Sequence, residues 1–281
     1  MKLKYLFLLL MISPLMSHTG LKAQIVAPDS MTIDTDSLRR DFDNQPYFGL
    51  YKDNYFTFGV PIGETPTKTN SNVKFQISIA QRLTRSTLPW NTYLFLFYTQ
   101  KVFWNVLENS MPMTDLNFNP GIGLVKPLFV KDRFIGKLMV LAEHESNGRD
   151  GVKSRSWNKI SFGANIMIEP TFIVHGKFWI PIVDGGENRD ILDYSGIYQV
   201  GTQVFSRNRR FGASVTLVKR RGWNLNYNTI IELNYRLFKR ENQYLFAQYY
   251  NGYGEGLLEY KKFHSMFRVG IVIKPRIFSD F

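Results

Sequence analysis

His144 and Ser146 stand two residues apart at the end of one apolar run, and Asn158 begins the next, in the segment HESNGRDGVKSRSWN, residues 144–158. Residues of these types can carry out nucleophilic acyl transfer. A serine hydroxyl attacks an ester carbonyl, an imidazole takes its proton, and an asparagine fixes the orientation of the ring. Asn158 is neutral, so it would orient His144 without much stabilising an imidazolium, and a separate group must then stabilise the oxyanion. The same residues also fit a plain reading, in which strand ends drift into a polar zone where such side chains are harmless. The chain has four histidines and no cysteine, which excludes a thiolate metal site, a disulfide framework and a lipidated N-terminal cysteine.

The elements that must position these residues read as strands. After an Asp-, Ser- and Pro-rich stretch the pattern is strand, turn, strand, with twelve candidates near 53–60, 73–82, 91–101, 116–126, 134–145, 156–168, 171–181, 194–206, 210–219, 225–238, 243–251 and 264–274. Many run to ten residues or longer, whereas globular strands average about five or six and a tilted transmembrane strand needs about 9–11. Ile231, Leu233, Tyr235 and Leu237 share one face of 229–238, and Glu232, Asn234 and Arg236 share the other, as in a barrel with lipid outside and a polar interior. The run 91–101 is apolar on both faces. In 134–146 the even positions put His144 and Ser146 on the more apolar face, although Ile135, Met139 and Leu141 blur the alternation. In 156–168 Asn158 lies with Ile160, Phe162 and Ala164. Sequential antiparallel strands usually pair, so all three polar residues are expected on the outside of the barrel, at the lipid interface.

Residues 1–23 read as a signal peptide, with Lys2 and Lys4 before YLFLLLMISPLM and a cleavage site at Leu21-Lys22-Ala23. That apolar stretch of about a dozen residues is short of the roughly 20 that a spanning helix needs. Residues 24–49 are expected to be a mostly irregular N-terminal segment and 50–281 the barrel. The formal charge of +12 falls to +9 once Lys2, Lys4 and Lys22 are set aside. A basic surface suits anionic lipid headgroups, lipopolysaccharide or nucleic acid, but no nucleic-acid-binding motif is visible. The expected fold class is therefore all-β: a twelve-stranded antiparallel transmembrane β-barrel of the bacterial outer membrane. Strand length and the signal favour it over a soluble sandwich or lipocalin-like barrel, and the aromatic Phe281 at the C-terminus agrees.

HESNGRDGVKSRSWN resembles the active-site segment of bacterial outer-membrane phospholipase A, whose pattern is H-x-S-N-G-R, a short spacer, then S-R-S-W-N. VKFQISIA (73–80), YTQK (98–101), NFNP (117–120) and NGYGEGLLEY (251–260) match in order, and DNQPYFGLYKDNY (43–55) matches more weakly. The resemblance implies calcium-dependent hydrolysis of acyl esters in phospholipids and lysophospholipids by a homodimer, with a triad of His144, Ser146 and Asn158. It implies Ca²⁺ ligands at the Arg149 carbonyl, the Ser154 hydroxyl and, from the other protomer, Ser110. It also implies an oxyanion hole that includes the Gly148 amide, and Gln100 at the dimer interface. The family's acidic loop residue has no match in register, because Gly151 fills its position and Asp150 lies one earlier. NGYGEGLLEY is expected to form the end of the last strand and a turn, with Tyr253 and Glu255 architectural. Rival readings are a non-enzymatic barrel, either a small pore or a structural protein, and an esterase for another substrate such as a lipopolysaccharide acyl chain.

Overall fold

The computed structural model describes residues 40, 42–130, 133–182, 188–238 and 241–275, so the expected signal segment and Phe281 lie outside the described residues. Among the described residues the strands are β1 (Phe48–Leu50), β2 (Asn54–Pro61), β3 (Asn72–Arg82), β4 (Tyr93–Trp104), β5 (Met113–Val130), β6 (Arg133–Ser146), β7 (Ser156–Glu169), β8 (Phe172–Ile182), β9 (Tyr198–Phe205), β10 (Phe211–Lys219), β11 (Tyr227–Arg236), β12 (Gln243–Gly252) and β13 (His264–Ile273). Each of the twelve expected segments contains one of the strands β2 to β13 over most of its length. β2 to β13 pair antiparallel in sequence order, and β13 pairs with β2, which closes a twelve-stranded barrel. β1 and β2 pair with the same edge of β3 and form one stave broken at Tyr51–Asp53. The break is bridged where the Tyr51 N–H donates to the Ser78 carbonyl and the Lys52 N–H to Ser78 Oγ. Closure matters because it gives each of β2 to β13 a partner on both sides, and hydrocarbon does not tolerate unpaired strand edges.

Side-chain alternation sorts the two faces. Outward positions such as Ile122, Leu124, Leu138, Val140, Ile180, Val269 and Ile271 are exposed and apolar. The interior is divided in two. Towards the end that carries the connections 83–92 and 170–171 (the turn end), Tyr51, Ala80, Phe97, Val125, Met139 and Leu141 form an apolar cluster inside the barrel. This cluster explains why 91–101 is apolar on both faces and why Met139 and Leu141 interrupt the alternation of β6. Residues 42–45 are tied down at this end, because the Arg82 guanidinium donates to the carbonyls of Phe42, Asp43 and Gln45.

The half nearer the loops 147–155, 220–226 and 253–263 (the loop end) is ionic. Lys74 Nζ lies 3.0 Å from Glu255 Oε1 and donates to Gln248 Oε1. Arg268 Nε lies 3.3 Å from the same carboxylate oxygen. On the other side Lys177 Nζ sits 2.9 Å from Glu143 Oε2, and Lys159 Nζ 2.9 Å from Glu145 Oε2. The expectation for NGYGEGLLEY needs correction here. Asn251 and Gly252 end β12, the next-to-last strand, and the following residues do not form a simple turn. The loop folds into the lumen, where Asp115 and Asn117 accept the N–H groups of Leu258 and Leu257, and Asn228 accepts that of Tyr253. Burial alone would raise the Glu255 carboxyl, but Arg268 and Lys74 override it and hold the group well below the usual carboxylate range.

Candidate active site on the outer face

β6 and β7 pair with His144 opposite Asn158 and Ser146 opposite Ser156. This register follows from the alternation: Glu143, Glu145 and Lys159 point into the lumen, so His144, Ser146 and Asn158 must point out. His144 Nδ1 lies 2.8 Å from Asn158 Oδ1. An amide oxygen only accepts, so Nδ1 carries the proton and Nε2 is left with its lone pair. Ser146 shares the face of His144 two residues on. No hydrogen bond joins the two among the described residues.

The loop after Ser146 is held by a residue that the sequence reading did not single out. Asn147 is buried, and each polar atom of its side chain is used. Oδ1 accepts from the backbone N–H of Arg149 and Arg155, and Nδ2 donates to the Lys153 carbonyl at 2.9 Å. Its own N–H donates to the Arg155 carbonyl. The Asn-Gly pair in the sequence was the available signal, since Asn bonds locally and Gly accepts left-handed backbone. Gly148 has φ +61°, and a Cβ there would meet Phe118 Cε2 at 3.1 Å, so the position favours glycine on both counts. The Gly148 N–H donates to no group among the described residues. The Arg149 guanidinium is spent on the Thr114 carbonyl at 2.6 Å. The Arg149 carbonyl and Ser154 Oγ accept no hydrogen bond among the described residues, which leaves two hard oxygen donors on the loop. Asp150 and Gly151 are exposed.

Cross-strand register places the remaining expected residues. Gln100 pairs with Phe118, Phe118 with Ser146, and Ser146 with Ser156, so Gln100 lies in one lateral row with the serine, two strands or about 10 Å away. Gln100 faces outward and its Oε1 accepts from Tyr98 OH at 3.1 Å. Its NH₂ group has no partner among the described residues. Ser110 is exposed in the loop between β4 and β5, away from His144 in its own chain but on the loop next to Thr114 and Arg149.

The barrel that carries this His–Asn pair has counterparts among known proteins. The family model described as phospholipase A1 matches residues 51–273. The phospholipase A1 of Escherichia coli K12 is 33% identical over 216 residues, covering 72% of this chain and 69% of that protein. The outer membrane phospholipase of Salmonella typhi, solved as a dimer with bound calcium, superposes with a TM-score of 0.72 at 25% identity, covering 87% of this chain and 99% of that one. An active-site mutant of the Escherichia coli outer membrane phospholipase A, an asparagine changed to alanine, superposes with a TM-score of 0.71 at 25% identity, covering 86% and 97%. Fold and sequence agree over the barrel, and the chain belongs to the phospholipase A1 family.

Proposed function

We propose that this chain is a calcium-dependent outer-membrane phospholipase that hydrolyses acyl esters of phospholipids and lysophospholipids and is activated by dimerisation. The observation that carries the reading is the 2.8 Å contact between His144 Nδ1 and Asn158 Oδ1 on the lipid-facing side of adjacent strands. Polar groups facing hydrocarbon are costly, and their presence there makes sense when the substrate is the membrane itself. Residues 1–23 are removed on export in this reading.

Asn158 holds His144 as the Nδ1–H tautomer. His144 Nε2 then takes the proton from Ser146 Oγ as the oxygen attacks the ester carbonyl, and returns it to the leaving alkoxide. Water repeats the sequence on the acyl-serine, with His144 again as base. The Gly148 N–H is free to donate to the oxyanion. The Arg149 carbonyl and Ser154 hydroxyl suit a hard cation, because both are oxygen donors with no other partner. They are neutral and too few to hold calcium tightly, so a third donor from the partner's Ser110 loop fits the need. Bound calcium would supply positive charge beside the developing oxyanion.

A small-pore reading is disfavoured by the lumen, which is crossed by two ionic clusters and an inward loop. The deciding experiment is labelling by a sulfonyl fluoride with and without Ca²⁺, with the modified residue mapped. Calcium-dependent labelling at Ser146 is expected. Labelling elsewhere, or normal turnover by Ser146→Ala, sinks the assignment.

A further inference from the structure

β5 carries a proline in mid-strand, and its position bears on the histidine. The β5–β6 pairing runs Phe118↔Ser146 and Gly121↔Glu143 with no register shift between them, so Pro120 stands opposite His144. The two residues between the paired ends, Asn119 and Pro120, are those at which the ladder lapses. A proline has no N–H, and a central strand rarely accepts one because a neighbour's carbonyl then loses its donor. Here the carbonyl is that of His144. It is not left unpaired: Asn119 Nδ2 donates to the His144 oxygen at 2.9 Å. A side-chain amide from the residue before the proline occupies the place of the missing ladder donor.

We infer that Asn119 is a positioning residue for the catalytic histidine, its amide replacing the backbone donor that Pro120 removes and fixing the peptide from which the His144 ring projects. The inference rests on the reading of His144 as the general base. His144 is tied on two sides. Asn158 holds the ring from β7, and Asn119 holds the main chain from β5. A ladder carbonyl left without its donor would reorient, and the direction of the Cβ that carries the ring would turn with it. The motif NFNP thereby divides into two tasks. Asn117 anchors the lumen loop through the Leu257 N–H. Asn119, also on the lumen side of β5, reaches the ladder carbonyl of His144.

The arrangement makes a rescue test possible. Asn119→Ala should lower kcat on the order of tenfold with KM little changed, in barrels that fold normally. Pro120→Ala restores a backbone N–H opposite His144 and should by itself leave kcat near that of the parent. The double variant Asn119→Ala/Pro120→Ala should recover most of the lost kcat, since the ladder N–H now reaches the His144 carbonyl. The rate of sulfonyl fluoride labelling at Ser146, normalised to folded barrel, should follow the same order. Full kcat in Asn119→Ala overturns the inference, and so does a double variant as slow as the single one. Ser146→Ala and His144→Ala are run alongside. If either retains turnover, the triad reading has failed; if both are inactive while Asn119→Ala is fully active, only the present inference has.

Discussion

At the scale of single residues, function here depends on which atom faces which. The Asn158 amide oxygen can only accept, and that fixes the His144 tautomer. Asn158→Ala should therefore cut kcat on the order of tenfold or more while leaving KM nearly unchanged, because it removes orientation and not substrate contact. Steady-state assays on mixed micelles measure the split, and a rise in KM at constant kcat would count against the role. Asn147→Ala acts through the loop. It strips Oδ1 from two N–H groups and Nδ2 from a carbonyl, so the loop bearing Gly148, Arg149 and Ser154 should loosen. The expected readout is a higher calcium concentration for half-maximal activity. That His144, Ser146 and Asn158 share one face was legible from alternation, whereas their proposed roles as a triad came only from the resemblance of the segment to the family's motif. Asn119 and Asn147 were not legible, since their partners are main-chain carbonyls and N–H groups whose positions exist only once the register is set.

At the scale of elements, the twelve staves were legible from length and alternation, but their ends were not. β5 was expected over 116–126 and runs from Met113 to Val130, through Pro120 and Pro127; at Pro120 a side chain of β5 itself, Asn119, supplies the donor that the proline removes. The segment expected as a strand from residue 194 starts as a short helix, Ile191–Ser195, and becomes β9 only at Tyr198. The inward fold of 253–260 was hidden because Glu255 finds its partners on β3 and β13, far away in sequence. That loop yields a stability prediction. Glu255→Gln leaves Lys74 and Arg268 without their shared counter-charge, and loss of one partner from a buried pair costs about 3–5 kcal/mol. The Glu255 carboxyl is depressed in the folded barrel, so its contribution is fully present above the unfolded carboxylate range, about 4.3, and is lost as pH falls through the folded value. Urea unfolding in detergent should show the parent well above Glu255→Gln at neutral pH, with the gap narrowing progressively as pH falls below about 4.3. A gap independent of pH would mean that Glu255 is protonated in the barrel.

At the scale of the whole molecule, the proposed active face would lie permanently in lipid and so would need control from something other than substrate access. One chain presents two neutral oxygen donors, and a calcium site made of these alone is weak. Gln100, in the same lateral row as Ser146, has an NH₂ group with no partner among the described residues, which in the proposed dimer would meet a second copy across the β4 face. Gln100→Leu should weaken dimerisation, so that activity depends more steeply on protein density in the micelle. The sharper test uses complementation. Ser146→Ala has no nucleophile, whatever its partner does. Ser110→Ala keeps its nucleophile but cannot donate to its partner's site. If Ser110 acts across the interface, the Ser146 of a Ser110→Ala chain is served by the intact Ser110 of a Ser146→Ala chain. An equal mixture of the two, refolded together, should then recover about a quarter of the parent activity, since half of randomly formed dimers carry one complete site of two. The assay is run at a calcium concentration that just saturates the parent, where Ser110→Ala alone is nearly silent. A mixture no more active than the average of its two components would place Ser110 in its own chain's site, or in none.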